Sequence, residues 1–119
     1  MEAHMKLPEQ MAKPVAKGTV PLAQKEAEEL VRDIPLWSLG IRAIEREFHL
    51  KDFREAMEFV NQVAELANEQ DHHPDIFISY SKVRLTLSTH KINGLSLNDF
   101  IVAAKIDRLA EKRGIGEAA

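Results

Sequence analysis

Apolar positions along the chain change their spacing several times, and each change marks a boundary between predicted elements. From Lys51 to Gln70 they follow the i, i+3, i+4, i+7 spacing of an amphipathic helix, at Phe53, Ala56, Met57, Val60, Val63, Ala64 and Ala67. Asp52 lies at the start of this helix, where a carboxylate is favoured. Phe59 and Leu66 widen the apolar stripe, and we expect this second flank to pack against another subunit.

Two further helices are predicted nearer the chain ends. The first runs from about Thr19, a candidate cap, to Asp33, and its apolar face carries Ala23, Ala27, Leu30 and Val31. The last begins at the capping box formed by Ser96 and Asp99. Its core-facing residues are Val102, Ala103, Ile106 and Leu109.

Two other stretches alternate between apolar and polar residues, as half-buried strands do. Residues 44–50 form one strand, in which Arg46 is the exception on the apolar face, and a short strand near Trp37 precedes it. Residues 76–88 form the other stretch, with a bend or bulge at Ser79-Tyr80-Ser81. Asn93-Gly94 is typical of a turn.

This order, α-β-β-α-β-β-α, predicts the α+β class. Strands adjacent in sequence favour antiparallel pairing, so we expect a two-layer sandwich of a four-stranded antiparallel sheet with three helices on one face. Residues 19–113 form the single domain. Residues 1–18 are expected to be a disordered tail with little to bury, in which residues 1–4 are a cloning remnant before a second start at Met5. His4 is therefore set aside.

Composition narrows the function classes. The chain has 119 residues and no cysteine, which excludes disulfides, cysteine zinc sites, iron–sulfur clusters and thiol nucleophiles. With 16 basic and 19 acidic residues, it lacks the positive charge of a nucleic-acid-binding protein. Its longest apolar run, Phe100–Ala104, is far shorter than the roughly 20 residues of a membrane span. Since no secretory leader is visible, we expect a soluble cytoplasmic protein without a membrane partner.

Three histidines are the candidate chemistry. His72 and His73 follow the long helix, and His90 follows the last strand. A helix end and a strand end can meet at one rim of such a sandwich, where imidazoles transfer protons near neutral pH, each worth about 10²–10⁴ in rate. The negative end of the preceding helix favours a protonated His72, which suits a general acid.

Simpler interpretations of these histidines stay open at this point. A His-His pair before Pro74 is often only a polar helix end, and His90 alone is often a turn residue. A three-histidine metal site is disfavoured, because adjacent histidines diverge on an extended backbone and no i, i+4 pair exists. His49 alternates with core residues and faces solvent. Capping alone accounts for Asp99.

The spacing of His72-His73-Pro74, Tyr80, His90 and Asp99 resembles that of the pterin-4a-carbinolamine dehydratases. The stretches 48–53, 85–90 and 93–96, and Trp37 at its usual distance, are also similar to that family. The resemblance covers about Pro21 to Leu109. One position departs: the family usually has a glutamate four residues before the first histidine, where this chain has Asn68 beside Glu69. A one-residue shift rotates a helical side chain by about 100°, so Glu69 is not a simple substitute.

The resemblance implies dehydration of 4a-hydroxytetrahydropterin to quinonoid dihydropterin, the recycling step after aromatic amino-acid hydroxylases. It implies that His72, His73 and His90 are catalytic, with His72 and His90 as acid and base in an order that stays open. His73 would position the hydroxyl or share the acid role. Pro74, Thr89, Lys91 and Asp99 would bind substrate, and Asp99 would also orient His90. No cofactor and no metal are implied.

The resemblance also bears on partners. It implies a homodimer or homotetramer built through the sheet edge and the long helix, and a functional link to an aromatic amino-acid hydroxylase. Two alternatives remain. One is a non-catalytic dimerisation or coactivator module, and the other is a relative acting on another pterin, as in molybdenum cofactor metabolism.

Overall fold

The computed structural model describes residues 6–115, so the proposed remnant, residues 1–4, lies outside the described part. Within these residues the chain forms three α-helices, α1 (Gln24–Val31), α2 (Phe53–Gln70) and α3 (Leu97–Lys112). The strands are β1 (Ser38–Leu39), β2 (Ile44–His49), β3 (Asp75–Ser79) and β4 (Lys82–Leu87). They form one antiparallel sheet in the order β1-β2-β4-β3. The predicted α+β class and element order are confirmed. None of the helices within residues 6–115 has the length and apolarity needed to cross a bilayer.

The core lies between one face of the sheet and the helices. Alternation along the central strands buries Ile44, Phe48, Val83, Leu85 and Leu87, while Glu45, Glu47 and His49 on the other face are exposed. Phe59 of α2 is completely buried, with its ring centroid 4.9 Å from that of Phe48. The expectation that Phe59 packs against another subunit is therefore wrong, because the chain's own sheet covers it.

Arg46, the exception in the strand pattern, is buried and paired. Its Nη1 donates to Oδ1 of Asp107 in α3 at 2.6 Å, and its guanidinium carbon lies 4.2 Å from the centroid of the Phe48 ring. Trp37 Nε1 donates to the same Oδ1 at 2.8 Å. Burial raises the pKa of Asp107 above its ordinary value, although the Trp37 hydrogen bond and the Arg46 charge act in the opposite direction.

Two predicted elements differ from the structure. Helix α1 begins at Gln24 rather than Thr19, because the Thr19 hydroxyl donates to the Ala16 carbonyl, and the Glu26 carboxylate accepts from the Ala23 N–H at the actual start. The expected bend within residues 76–88 is a tight hairpin between β3 and β4. Tyr80 makes this turn with a φ of 53°, in the left-handed region.

Residues 6–18 lie against the domain. A short 3₁₀ helix, Leu7–Glu9, buries Leu7 in the core, and Lys105 Nζ of α3 donates to the Pro8 carbonyl at 3.0 Å. The sequence predicts a tail with little to bury. The structure differs because a single leucine and backbone groups make the contacts, and neither produces an apolar period.

Candidate active site

The ends of α2 and α3 meet and bring His72 onto Asp99. Helix α2 ends at Asp71, whose φ of 51° turns the chain away, and the His72 N–H returns to the Ala67 carbonyl at 3.1 Å. His72 Nε2 then lies 2.6 Å from Oδ1 of Asp99, in the first turn of α3. The His72 side chain is 11% exposed and that of Asp99 is fully buried.

The hydrogen bonds that Asp99 accepts determine where its neighbours carry their protons. Oδ2 accepts from the Thr89 hydroxyl at 2.7 Å and from the Ser96 N–H at 3.0 Å, the latter as the predicted capping contact. Because the Thr89 proton is used in this way, Ser96 Oγ donates to Thr89 Oγ1 at 2.7 Å. Three donors thus converge on a carboxylate, with His72 Nε2–H as the third, and Nδ1 is the basic nitrogen of neutral His72.

His73 has a different partner. Its Nε2 lies 3.0 Å from Oδ1 of Asn68 in the last turns of α2, in an exposed position. An amide oxygen only accepts, so His73 donates through Nε2. Asn68 is the position at which the chain departs from the glutamate of the family it resembles. Adjacent histidines therefore have distinct surroundings, one backed by a buried carboxylate and the other by an exposed amide.

The three histidines line one cleft of about 430 Å³, within the size range of small-molecule sites. Thr89 and Lys91 also line it, whereas Pro74 and Asp99 are not among the described residues in its wall. Asp99 is therefore placed behind His72 rather than against a ligand. The prediction that Asp99 orients His90 is wrong, because the imidazole that contacts Asp99 is that of His72.

Several cleft residues were not identified from the sequence. Gln70 and Asn98 line the cleft, and so do residues 12–15 of the N-terminal segment. The only feature of the sequence that could have indicated Gln70 and Asn98 is their polar character at the two helix ends that form the site. Within residues 6–115, no three or more histidine, aspartate or glutamate side chains are grouped so as to hold a metal ion.

Comparison with known sequences identifies similar proteins. Residues 20–109 match the family model described as pterin 4 alpha carbinolamine dehydratase. A protein of Rubrobacter xylanophilus, provisionally named a pterin-4-alpha-carbinolamine dehydratase, is 45% identical over 104 residues, which cover 87% of this chain and 97% of that protein. A Halorhodospira halophila protein with the same provisional name is 42% identical, with coverage of 88% and 98%.

Solved structures show the same architecture. A Brucella melitensis protein described as a transcriptional coactivator/pterin dehydratase superposes with a TM-score of 0.72 and 38% identity, covering 76% of this chain and 98% of that one. A pterin dehydratase-like RuBisCO assembly factor of the α-carboxysome has a TM-score of 0.52 and 21% identity, covering 62% and 86%. The second similarity supports the fold alone.

Proposed function

The chain belongs to the pterin 4 alpha carbinolamine dehydratase family, and from this premise we propose that it converts 4a-hydroxytetrahydropterins to quinonoid dihydropterins and water. The observation that best supports an acid–base reaction is that the His72–Asp99 pair lies at a cleft that His73 and His90 also line. A histidine held by a buried carboxylate is an arrangement suited to proton transfer.

The reaction is an elimination that needs one acid and one base. The acid protonates the hydroxyl on C4a, the C4a–O bond breaks, and water leaves. The N5 lone pair forms the N5=C4a double bond, and the base removes the N5 proton. No electrons pass to or from another molecule, so the proposal includes no cofactor and no metal.

In the proposed mechanism, His72 and His90 share these two roles. Asp99 holds the His72 ring and stabilises the imidazolium that forms whenever His72 carries a second proton. His73 positions the hydroxyl. Backbone groups of Thr89 and Lys91, next to His90, bind the amide-like edge of the pterin. We assign the two proton transfers to the His72–His90 pair as a unit, because coupled groups titrate together.

The test is a kinetic series on chemically generated carbinolamine, run with and without a chelator. We expect His72→Ala and His90→Ala each to lower kcat at least about 10²-fold, with a smaller loss for His73→Ala. His49→Ala is the matched control, because His49 lies on the exposed sheet face beside Glu47. Near-full activity in all three cleft variants would refute the site. An inactive wild type would favour a binding module instead.

A role in recycling pterin for an aromatic amino-acid hydroxylase follows from this activity, and it forms part of the proposal. The quinonoid product has to be reduced before it can serve as cofactor again. A coupled assay with an aromatic amino-acid hydroxylase and a dihydropterin reductase would measure this directly. We expect added wild-type protein to sustain hydroxylation when carbinolamine accumulates, and His72→Ala to give no such effect.

A further inference from the structure

Residues 12–15, called here the N-terminal wall, line the same cleft as the histidines. They precede residues 20–109, the stretch matched by the family model. Lys13 and Pro14 are exposed, and Ala12 and Val15 are half-buried. Because these side chains are not buried, the wall is held mainly by hydrogen bonds to its backbone groups.

Asn98 binds the wall at two points. Its Oδ1 accepts from the Lys13 N–H at 2.9 Å, and its Nδ2 donates to the Lys13 carbonyl at 2.6 Å. One side-chain amide thus satisfies both polar groups of a single backbone residue, as a neighbouring strand would. Asn98 is 8% exposed, so the amide side of this pairing is buried although Lys13 itself is exposed.

Gln70 provides a third contact. Its Oε1 accepts from the Ala12 N–H at 2.9 Å, and it too is 8% exposed. Gln70 lies two residues before His72 and Asn98 lies one residue before Asp99. The residues that hold the wall therefore belong to the same two helix ends that hold the proton-transfer pair.

Both ends of the segment are anchored in the domain. Before the wall, Leu7 is buried in the core, and after it the Leu22 N–H donates to the Leu95 carbonyl at 2.9 Å. Between these anchors, side-chain hydrogen bonds from Asn98 and Gln70 hold Ala12 and Lys13. Removing the Asn98 amide should therefore loosen the wall, which keeps its Gln70 contact, without unfolding the rest of the domain.

We propose that the N-terminal wall, clamped by Asn98 and Gln70, is a binding element of the pterin cleft that sets the affinity for substrate. The inference rests on the proposed function and adds to it the residues that hold the pterin in place. A fixed wall narrows the cleft and removes water from one side of the bound ring. Proton transfer does not pass through it, so the wall acts on KM and leaves kcat unchanged.

Two variants test the wall from opposite sides. Asn98→Ala removes both contacts, and Lys13→Pro removes the Lys13 N–H while it keeps Asn98 in the cleft. We expect each to raise KM for the carbinolamine by roughly tenfold, with kcat within twofold of wild type. Asn61→Ala, at an exposed position of α2, is the matched control and should leave both constants unchanged. A KM within twofold of wild type in both variants overturns the proposal, and so does a fall in kcat at unchanged KM.

Hydrogen exchange separates this proposal from the proposed function, because it needs no turnover. The probe is 7,8-dihydrobiopterin, a stable reduced pterin, added to the full chain. In wild type, the amides within residues 10–16 should exchange several-fold more slowly when the probe is bound. In Asn98→Ala they should exchange faster than in wild type even without it. Absence of binding, or binding without protection of these amides, overturns the wall even if the protein is an active dehydratase. An inactive protein that shows the protection keeps the wall and refutes the dehydratase.

Discussion

Nε2 of His72 lies 2.6 Å from Oδ1 of Asp99, although 27 residues separate the two in sequence. The contact exists because α2 ends where α3 begins. The two oxygens of Asp99 have different partners: Oδ2 accepts the capping N–H of Ser96, and Oδ1 contacts the His72 imidazole. The same carboxylate thus starts a helix and orients a candidate catalytic group.

Asp99→Asn is expected to lower kcat by about 10²–10⁴. Two donors, Thr89 and Ser96, require an acceptor at Oδ2, so the amide oxygen of an asparagine should stay there. Its NH₂ group then faces His72 and donates to Nε2, which moves the His72 proton to Nδ1 and produces the wrong tautomer. Steady-state kinetics with a circular dichroism check on folding measures this effect.

The control for that substitution is Asp107→Asn on the same helix. Asp107 is also a largely buried carboxylate, but it binds Trp37 and Arg46 and lies in no part of the histidine cleft. We expect it to change stability and to leave kcat within about twofold. A folded Asp99→Asn protein with kcat within threefold of wild type would contradict the orienting role.

Asn68→Glu tests whether His73 shares the acid role with the His72–His90 pair; if it does, the upper limb of the pH–rate profile should move to higher pH. A carboxylate in place of the amide oxygen that lies 3.0 Å from His73 favours a charged imidazolium at that position. The exposed position limits this shift to about one pH unit or less. Asn61→Glu adds the same charge elsewhere on α2 and should leave the profile in place. An unshifted profile in Asn68→Glu would argue against a proton on His73 during turnover.

Arg46→Met should destabilise the fold by about 2–4 kcal/mol, because it leaves Asp107 largely buried without its cation. Arg84→Met on the adjacent strand is the matched control. The Arg84 side chain is 41% exposed, its Nε lies 3.8 Å from Oε2 of Glu45, and its guanidinium lies over the exposed Phe77 ring, so its loss should cost less than about 1 kcal/mol. Urea unfolding at one fixed protein concentration gives both values. Equal costs would show that burial of the Arg46 pair contributes nothing.

Asp107 should also leave a signature in the pH dependence of stability. Its pKa is raised in the folded protein, chiefly by burial, so between the ordinary value of 3.8 and the raised one the folded state binds more protons than the unfolded state. This contribution to stability therefore increases as pH falls through that window. Relative to Asp107→Asn, wild type should gain free energy of unfolding on acidification, as measured by urea titration at several pH values. A difference that shrinks on acidification would contradict the assignment.

Self-association remains a prediction, and the edge strand β3 offers a test of it. Ile76 and Phe77 are 38% and 47% exposed on this strand, which pairs with β4 on one side. We expect wild type to exceed the monomer mass in light scattering at micromolar concentration, and Ile76→Lys to shift it toward monomer. Ile41→Lys, at a position that is 86% exposed and outside the strands, is the control. A wild-type monomer would refute the prediction.

The spacing of apolar residues predicted the helices and strands in which core contacts recur at regular intervals along one face. Helix α2 and the alternation in β2 were predictable, because Val60, Val63 and Phe48 contact the core at regular intervals. Phe59 shows the limit of this reasoning: a residue beside the stripe is apolar whether the sheet or a partner covers it. Arg46 stood out as an exception, but its partner Asp107 lies 61 residues away and no pattern connects them.

Part of the candidate site could also be predicted, because it depends on residues at the ends of predictable elements. Histidines at a helix end and a strand end can be counted in a sequence. Asp99 was assigned as a cap, and that role hid the second one, since nothing in the pattern indicates what its other oxygen contacts. Lys13 could not be identified at all, because Asn98 binds its peptide group, and every residue except proline has the same one.

Residues 12–15 lie before the stretch that the family model matches, whereas His72, His90 and Asp99 lie within it. The part of the chain that would choose the ligand is thus separate in sequence from the part that would react with it. Under this proposal, exchanging a few N-terminal residues would change which pterin side chains the cleft accepts, without any change to the reaction chemistry. Grafting this short segment between relatives would be the most economical route to a redesigned substrate preference.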